Sequence, residues 1–168
     1  EHFSVPFGDL KGGLTSSRWG GREMLKSIPR PNFWRAPVDN DCGSNMPQRY
    51  AQWKIASMYA ATNATPELAR LNAHPVATEN ADGSVSIRYI YGLCTQPDGH
   101  AALTYTVHPC GQVDVTLDYN PVEGLGDMPE FGMLLKMDAD YDQVRCSGYG
   151  PNENYVDRRE GARLGIFK

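Results

Sequence analysis

The stretch SVSIRYIYGL, residues 84–93, sets Val85, Ile87, Tyr89 and Tyr91 at alternate positions, with Ser84, Ser86, Arg88 and Ile90 between them. Successive side chains of a strand point to opposite faces, so this period of two predicts a strand with one buried face. The preceding Asp82-Gly83 pair is a hairpin signal, because a tight hairpin turn needs backbone angles that glycine adopts without strain. Downstream, TYTVHPCGQVDVTLDY at 104–119 repeats the alternation on both sides of Pro109, Cys110 and Gly111. Two further strands joined by a turn are predicted there. Consecutive antiparallel strands of this kind pack sheet on sheet.

Working outward, FSVPF (3–7), LTSSRW (14–19), FGMLLKM (131–137) and QVRCSGY (143–149) are further β-type runs separated by turn residues. One helix interrupts them. In MPQRYAQWKIASMY (46–59), Pro47 suits a first helical turn, where its missing N–H would be unpaired anyway, and Tyr50, Trp53 and Ser57 then share a face. Trp53 is the expected anchor. The fold class that follows is all-β, an antiparallel β-sandwich with one short helix.

A chain of 168 residues can close around a core of its own, since chains of this size bury roughly 70% of the surface they expose when unfolded. One domain over 1–168 is expected. With 40% hydrophobic residues and a net charge of −4, the composition excludes a disordered segment and a nucleic-acid binder driven by phosphate neutralisation. No apolar run approaches the roughly 18 residues of a membrane-spanning helix, and EHFSVPFGDL at the start resembles no signal sequence. Lacking an initiator Met and opening inside a strand-like run, the sequence reads as part of a longer protein. Cys42, Cys94, Cys110 and Cys146 are scattered without a C-x-x-C pair or a nearby His, so zinc is not expected. Free thiols, and with them a reducing, cytoplasmic location, are the expectation.

RPNFWRAPVDND, residues 30–41, reads as neither an amphipathic helix nor an alternating strand, and must be held by contacts outside itself. Asp39-Asn40-Asp41 before Gly43 only superficially matches a calcium loop, because Tyr50 stands where the bidentate Glu is needed. Two readings remain: an Asx-turn network, or a pairing of Arg35 with Asp39 or Asp41, for which the planar guanidinium is suited. GYGPNENY, residues 148–155, resembles a phosphate-cradling loop, but Pro151 removes an amide and Glu153 occupies the third glycine position. A tight turn presenting Glu153, Asn154, Tyr155, Asp157 and Arg158 is the better reading. His2, His74, His100 and His108 stand alone, with no nucleophile turn beside them, and no pair of acids is singled out for glycoside hydrolysis. Trp19, Phe33, Trp34 and Trp53 are assigned to the core ahead of sugar platforms.

NFWRAPVDND with QRYAQWKIAS after it, and GYGPNENYVDRREGARLG near the end, closely resemble the small-chain region of the large β-galactosidases of glycoside hydrolase family 2. FSVPFGDLKGGLTS resembles the start of that region, and MPEFGMLL its strand before the Gly-Pro turn. The resemblance implies the N-terminal part of a galactose-mutarotase-like supersandwich, truncated on its C-terminal side and by a few residues at its N-terminal side. It also implies a parent enzyme hydrolysing terminal β-D-galactosides, such as lactose, with retention, through two glutamates on a TIM barrel outside this segment.

For this segment the resemblance implies no catalytic residue and no cofactor or metal, although Mg and Na are possible in the parent. The implied partners are the remaining domains and the β-galactoside at the parent's active site, within a homo-oligomer. Arg35, Asp39, Asn40, Asp41, Glu153, Asn154, Tyr155, Asp157 and Arg158 are expected at the docking surface. Asp41, Cys42, Gly43, Ser44 and Asn45 are expected in a loop near the active-site mouth, with Gly43 either as a hinge or as a residue the turn requires. Val38, Glu130 and Cys146-Ser147 depart from the family pattern. A carbohydrate-binding module and an oligomerisation domain are the alternatives from other functional classes.

Overall fold

The computed structural model describes residues 2–8, 12–152 and 154–168. In chain order it contains β1 (Phe3–Ser4), β2 (Phe7–Gly8), β3 (Gly13–Leu14), β4 (Arg18–Trp19), β5 (Arg22–Glu23) and β6 (Ser27–Asn32). Helices α1 (Asp39–Gly43), α2 (Met46–Arg49), α3 (Ala51–Tyr59) and α4 (Pro66–Ala73) follow. The chain then returns to strands: β7 (Ala77–Glu79), β8 (Val85–Gly92), β9 (His100–Val107), β10 (Val113–Tyr119), β11 (Gly132–Lys136), β12 (Cys146–Gly150) and β13 (Arg163–Phe167). All strand pairs are antiparallel, as the alternating sequences predict. No helix among the described residues is long and apolar enough to cross a membrane. The chain divides into two compact units, residues 1–136 and 137–168.

The centre of the first unit is a four-stranded sheet in the order β10-β9-β8-β7. Its register sets Tyr89 opposite Leu103 and Leu103 opposite Leu117, so the alternating residues of three strands share one face. Tyr89, Leu103 and Tyr105 are fully buried there. Leu14 of β3, Phe33 beyond β6, and Trp53 and Ala56 of α3 close over that face, which makes one core between the sheets. Burial, with the neighbouring Tyr89, pushes the Tyr91 phenol up to about 12, and its hydroxyl donates to the Gly12 carbonyl at 3.3 Å. At the β7–β8 hairpin, Gly83 takes a φ of 78°, while the Asp82 carboxylate accepts from the Ser84 amide and hydroxyl. All four cysteines are free and exposed.

The fold is all-β, as predicted, but among the described residues the single expected helix is replaced by four α-helical segments, with a 3-10 turn at Arg159–Gly161 besides. The run 46–59 is broken at Tyr50, whose φ of −117° and ψ of 23° end α2 and begin α3. Trp53, Ala56 and Ser57 form the buried face of α3, with Trp53 as the anchor. Helix α4 carries its own start signal: Pro66 sits in the first turn and the Thr65 hydroxyl accepts from the Leu68 amide at 3.2 Å. Its brevity and mixed polarity hide it from a search for apolar periodicity. Strand β6 was concealed by Pro29 and Pro31, which disfavour a strand assignment because they cannot donate to a ladder. Both prolines are buried, and among the described residues β6 pairs only with β11, so it tolerates residues that lack an amide hydrogen.

Candidate docking and substrate-proximal site

The segment after β6 is fixed from inside. Phe33 is fully buried, its ring 5.7 Å from that of Trp53, and its amide donates to the Ser57 hydroxyl at 2.8 Å. Ser57 in turn donates to the Trp53 carbonyl at 2.9 Å. Asn32 reaches past Phe33 to the Trp34 carbonyl at 2.8 Å. Phe33 and Trp53 therefore belong to the core and present no face to a sugar. Trp19, by contrast, is exposed and stacks on Phe3 with centroids 6.3 Å apart.

Of the two carboxylates offered to Arg35 by the sequence, the structure selects Asp41. The guanidinium grips both Asp41 oxygens, with Nη2 to Oδ1 at 3.1 Å and a second, shorter contact from Nη1 to Oδ2. Its Nε donates to the Pro129 carbonyl at 3.0 Å and Nη1 to the Ala36 carbonyl at 3.2 Å. Asp41 also accepts from the Val38 amide at 2.8 Å, so one carboxylate both caps α1 and anchors the arginine. Arg35, followed by the Val38 amide, holds the Asp41 carboxyl below its usual range. Val38 itself offers no side-chain cap. Asp39 and Asn40 are exposed in the first turn of α1.

The expected loop Asp41–Asn45 is helical over its first part. The Ser44 amide donates to the Asn40 carbonyl at 3.0 Å, and the Ser44 hydroxyl reaches the Asp41 carbonyl at 3.2 Å. Gly43 lies inside α1 with a negative φ, and a Cβ there would meet nothing within 4 Å. The left-handed residue is Asn45, at φ 55°. Cys42, Gly43, Ser44 and Asn45 are all exposed.

The second expected group lies in the 137–168 unit. The Asn154 side-chain amide donates to the Tyr149 carbonyl at 3.0 Å, and a hydrogen-bonded turn follows at 155–158, where the Arg158 backbone amide donates to the Tyr155 carbonyl at 2.8 Å. Asn154, Tyr149, Arg159 and Glu160 line a space of about 460 Å³. Tyr155 is half-buried, while Asp157 and Arg158 are exposed. Glu153 lies outside the described residues. The segment Gly126–Phe131, which meets the first group through Pro129, is given no part in the site by the sequence, although MPEFGMLL, which begins within it, and Glu130 stand out there. The turn chemistry of Gly126-Asp127 and Pro129 is the signal that could have placed it.

The whole chain, residues 1–168, matches the model of the family described as Beta galactosidase small chain. The chain belongs to the β-galactosidase small-chain family. Among its relatives, the β-galactosidase of Clostridium acetobutylicum is 33% identical over 166 residues, covering 99% of this chain and 17% of that protein. The β-galactosidase of Lactobacillus delbrueckii subsp. bulgaricus is 35% identical over 167 residues, covering 99% and 16%. A β-galactosidase small subunit from Latilactobacillus sakei is 28% identical over 180 residues, covering 99% of this chain and 55% of that one. This small-chain sequence thus spans about a sixth of the length of the two β-galactosidases. The same small-chain unit occurs inside a long polypeptide and in a separately named subunit.

Proposed function

We propose that this chain is a non-catalytic β-sandwich domain of a β-galactosidase whose complete form hydrolyses terminal β-D-galactosides with retention of configuration. The observation that carries the reading is the family match along all 168 residues, joined to a coverage of only about a sixth of the β-galactosidases it resembles. In this reading the two acids of a retaining mechanism reside in the remainder of the enzyme, on a barrel against which this domain docks. The segment Asp41–Asn45 borders the active-site mouth, and the groups around Arg35 in the first unit and around Asn154 in the second each take part in docking. The complete enzyme is a cytoplasmic homo-oligomer, and any Mg or Na it uses is bound outside this segment.

The Arg35–Asp41 clamp supports that assignment because it shapes an exposed turn of helix at fixed geometry on a rigid support. The test is direct. The complete enzyme should release the chromophore from a nitrophenyl β-galactoside, and the purified 168-residue chain should not. Turnover by the chain alone, persisting after removal of contaminating host enzyme, would overturn the reading.

A further inference from the structure

The segment Asp41–Asn45 is attached at both ends to one distant stretch of chain, Gly126–Phe131. At the Asp41 end the link is Arg35, which holds the Asp41 carboxylate and donates to the Pro129 carbonyl. At the Ser44 end it is a relay. Arg49 Nη1 donates to the Ser44 carbonyl at 3.4 Å and Nη2 to the Tyr50 hydroxyl at 2.8 Å, and that hydroxyl donates to Asp127 Oδ2 at 3.1 Å. The Arg49 guanidinium also lies 4.9 Å from the centroid of the Tyr50 ring, a cation–π contact that holds it over the ring.

Tyr50 is well placed for this role. It occupies the break between α2 and α3, and its ring lies so close to Gly126 that a Cβ on Gly126 would overlap it. Three residues on, the Trp53 indole of α3 donates to the Gly126 carbonyl at 2.9 Å. The far support is therefore fixed to the core independently of the relay.

We propose that Arg49, Tyr50 and Asp127 are positioning residues that pin the Ser44 end of the 41–45 segment, as Arg35 pins its Asp41 end, so that the segment is set by Gly126–Phe131. This deepens the reading of 41–45 as the loop at the sugar and rests on it only for its kinetic consequence. The geometric claim stands by itself. Removing the Tyr50 hydroxyl or the Asp127 carboxylate frees the Ser44 end and leaves Arg35 and the core in place.

The experiment uses the complete enzyme with Tyr50→Phe, which keeps the ring on Gly126, with Asp127→Ala, and with Asp127→Asn, which keeps an acceptor. Amide hydrogen exchange over 40–46 should quicken about two- to fivefold in Tyr50→Phe and Asp127→Ala, the scale of one exposed hydrogen bond, and return towards the parent rate in Asp127→Asn. Amides of β8 and β9 should not change. An unchanged rate over 40–46, or a rise shared equally by the central strands, overturns the proposal. With a local rise in exchange, KM for the galactoside should rise while kcat moves less. A local rise with both constants unchanged would uphold the relay and overturn the placement of 41–45 at the sugar.

Discussion

At Asn45 the backbone turns through a φ of 55°, a conformation that places Cβ against the following carbonyl in most residues, whereas Gly43 two positions earlier is helical and in open space. Residue type alone pointed to Gly43 as the special backbone position. The structure moves that requirement to Asn45, whose side chain is among the few tolerated there. Gly43→Ala should accordingly leave stability unchanged or raise it by up to ~0.5–1 kcal/mol, because alanine has less backbone entropy to lose in a helix. Asn45→Ala should lower it by about 1 kcal/mol and Asn45→Gly should recover most of the loss. Thermal unfolding of the three variants measures this, and equal losses at both positions would return the turn requirement to Gly43. Were Gly43→Ala to shift kcat and KM together at unchanged stability, Gly43 would be acting as a hinge.

Strand β8 is longer than its neighbour β7, and the way it is completed shows how an element depends on one side chain. The ladder with β7 ends at the pairing of Ala77 with Ile87. Beyond it, the Asn72 side chain of α4 takes the place of a strand: its Oδ1 accepts from the Ile90 amide at 2.8 Å and its Nδ2 donates to the Ile90 carbonyl at 2.9 Å. The same Nδ2 reaches the Thr62 and Leu68 carbonyls, and Ala61 then exchanges both backbone bonds with Gly92. Asn72 is only 3% exposed, so water cannot replace it. Asn72→Leu should cost about 2–3 kcal/mol, since it leaves a buried amide and carbonyl unpaired. Leu71→Ala on the exposed side of the same helix should fall within about 0.5 kcal/mol of the parent. Denaturant midpoints decide it, and a loss at Asn72 no larger than at Leu71 would show that other groups close this edge. The helix was invisible to a search for apolar stripes because it meets the sheet through Leu68 and an amide.

For the molecule as a whole, every buried member of the central cluster, from Leu14 to Tyr105, lies in the first compact unit, and its partly buried companions extend only to Met133. Residues 1–136 should therefore unfold cooperatively without the rest, whereas 137–168, whose strands are the two-stranded pair β12 and β13, should give no cooperative transition by circular dichroism. Loss of the transition on truncation after Lys136 would show that the core depends on the second unit. The sequence by itself determined the antiparallel β class, the alternating runs at 84–93 and 104–119 that hold β8, the end of β9 and β10, the Asp82-Gly83 turn and Trp53 as an anchor, because alternation, turn residues and a large apolar ring act over a few neighbouring positions. Its two long motifs also carried the family. Only the tertiary structure decided that Arg35 takes Asp41 over Asp39, that β6 is a strand despite two prolines, and that Gly126–Phe131 supports the 41–45 segment. Those outcomes rest on hydrogen bonds between groups up to 94 residues apart, which no local pattern encodes.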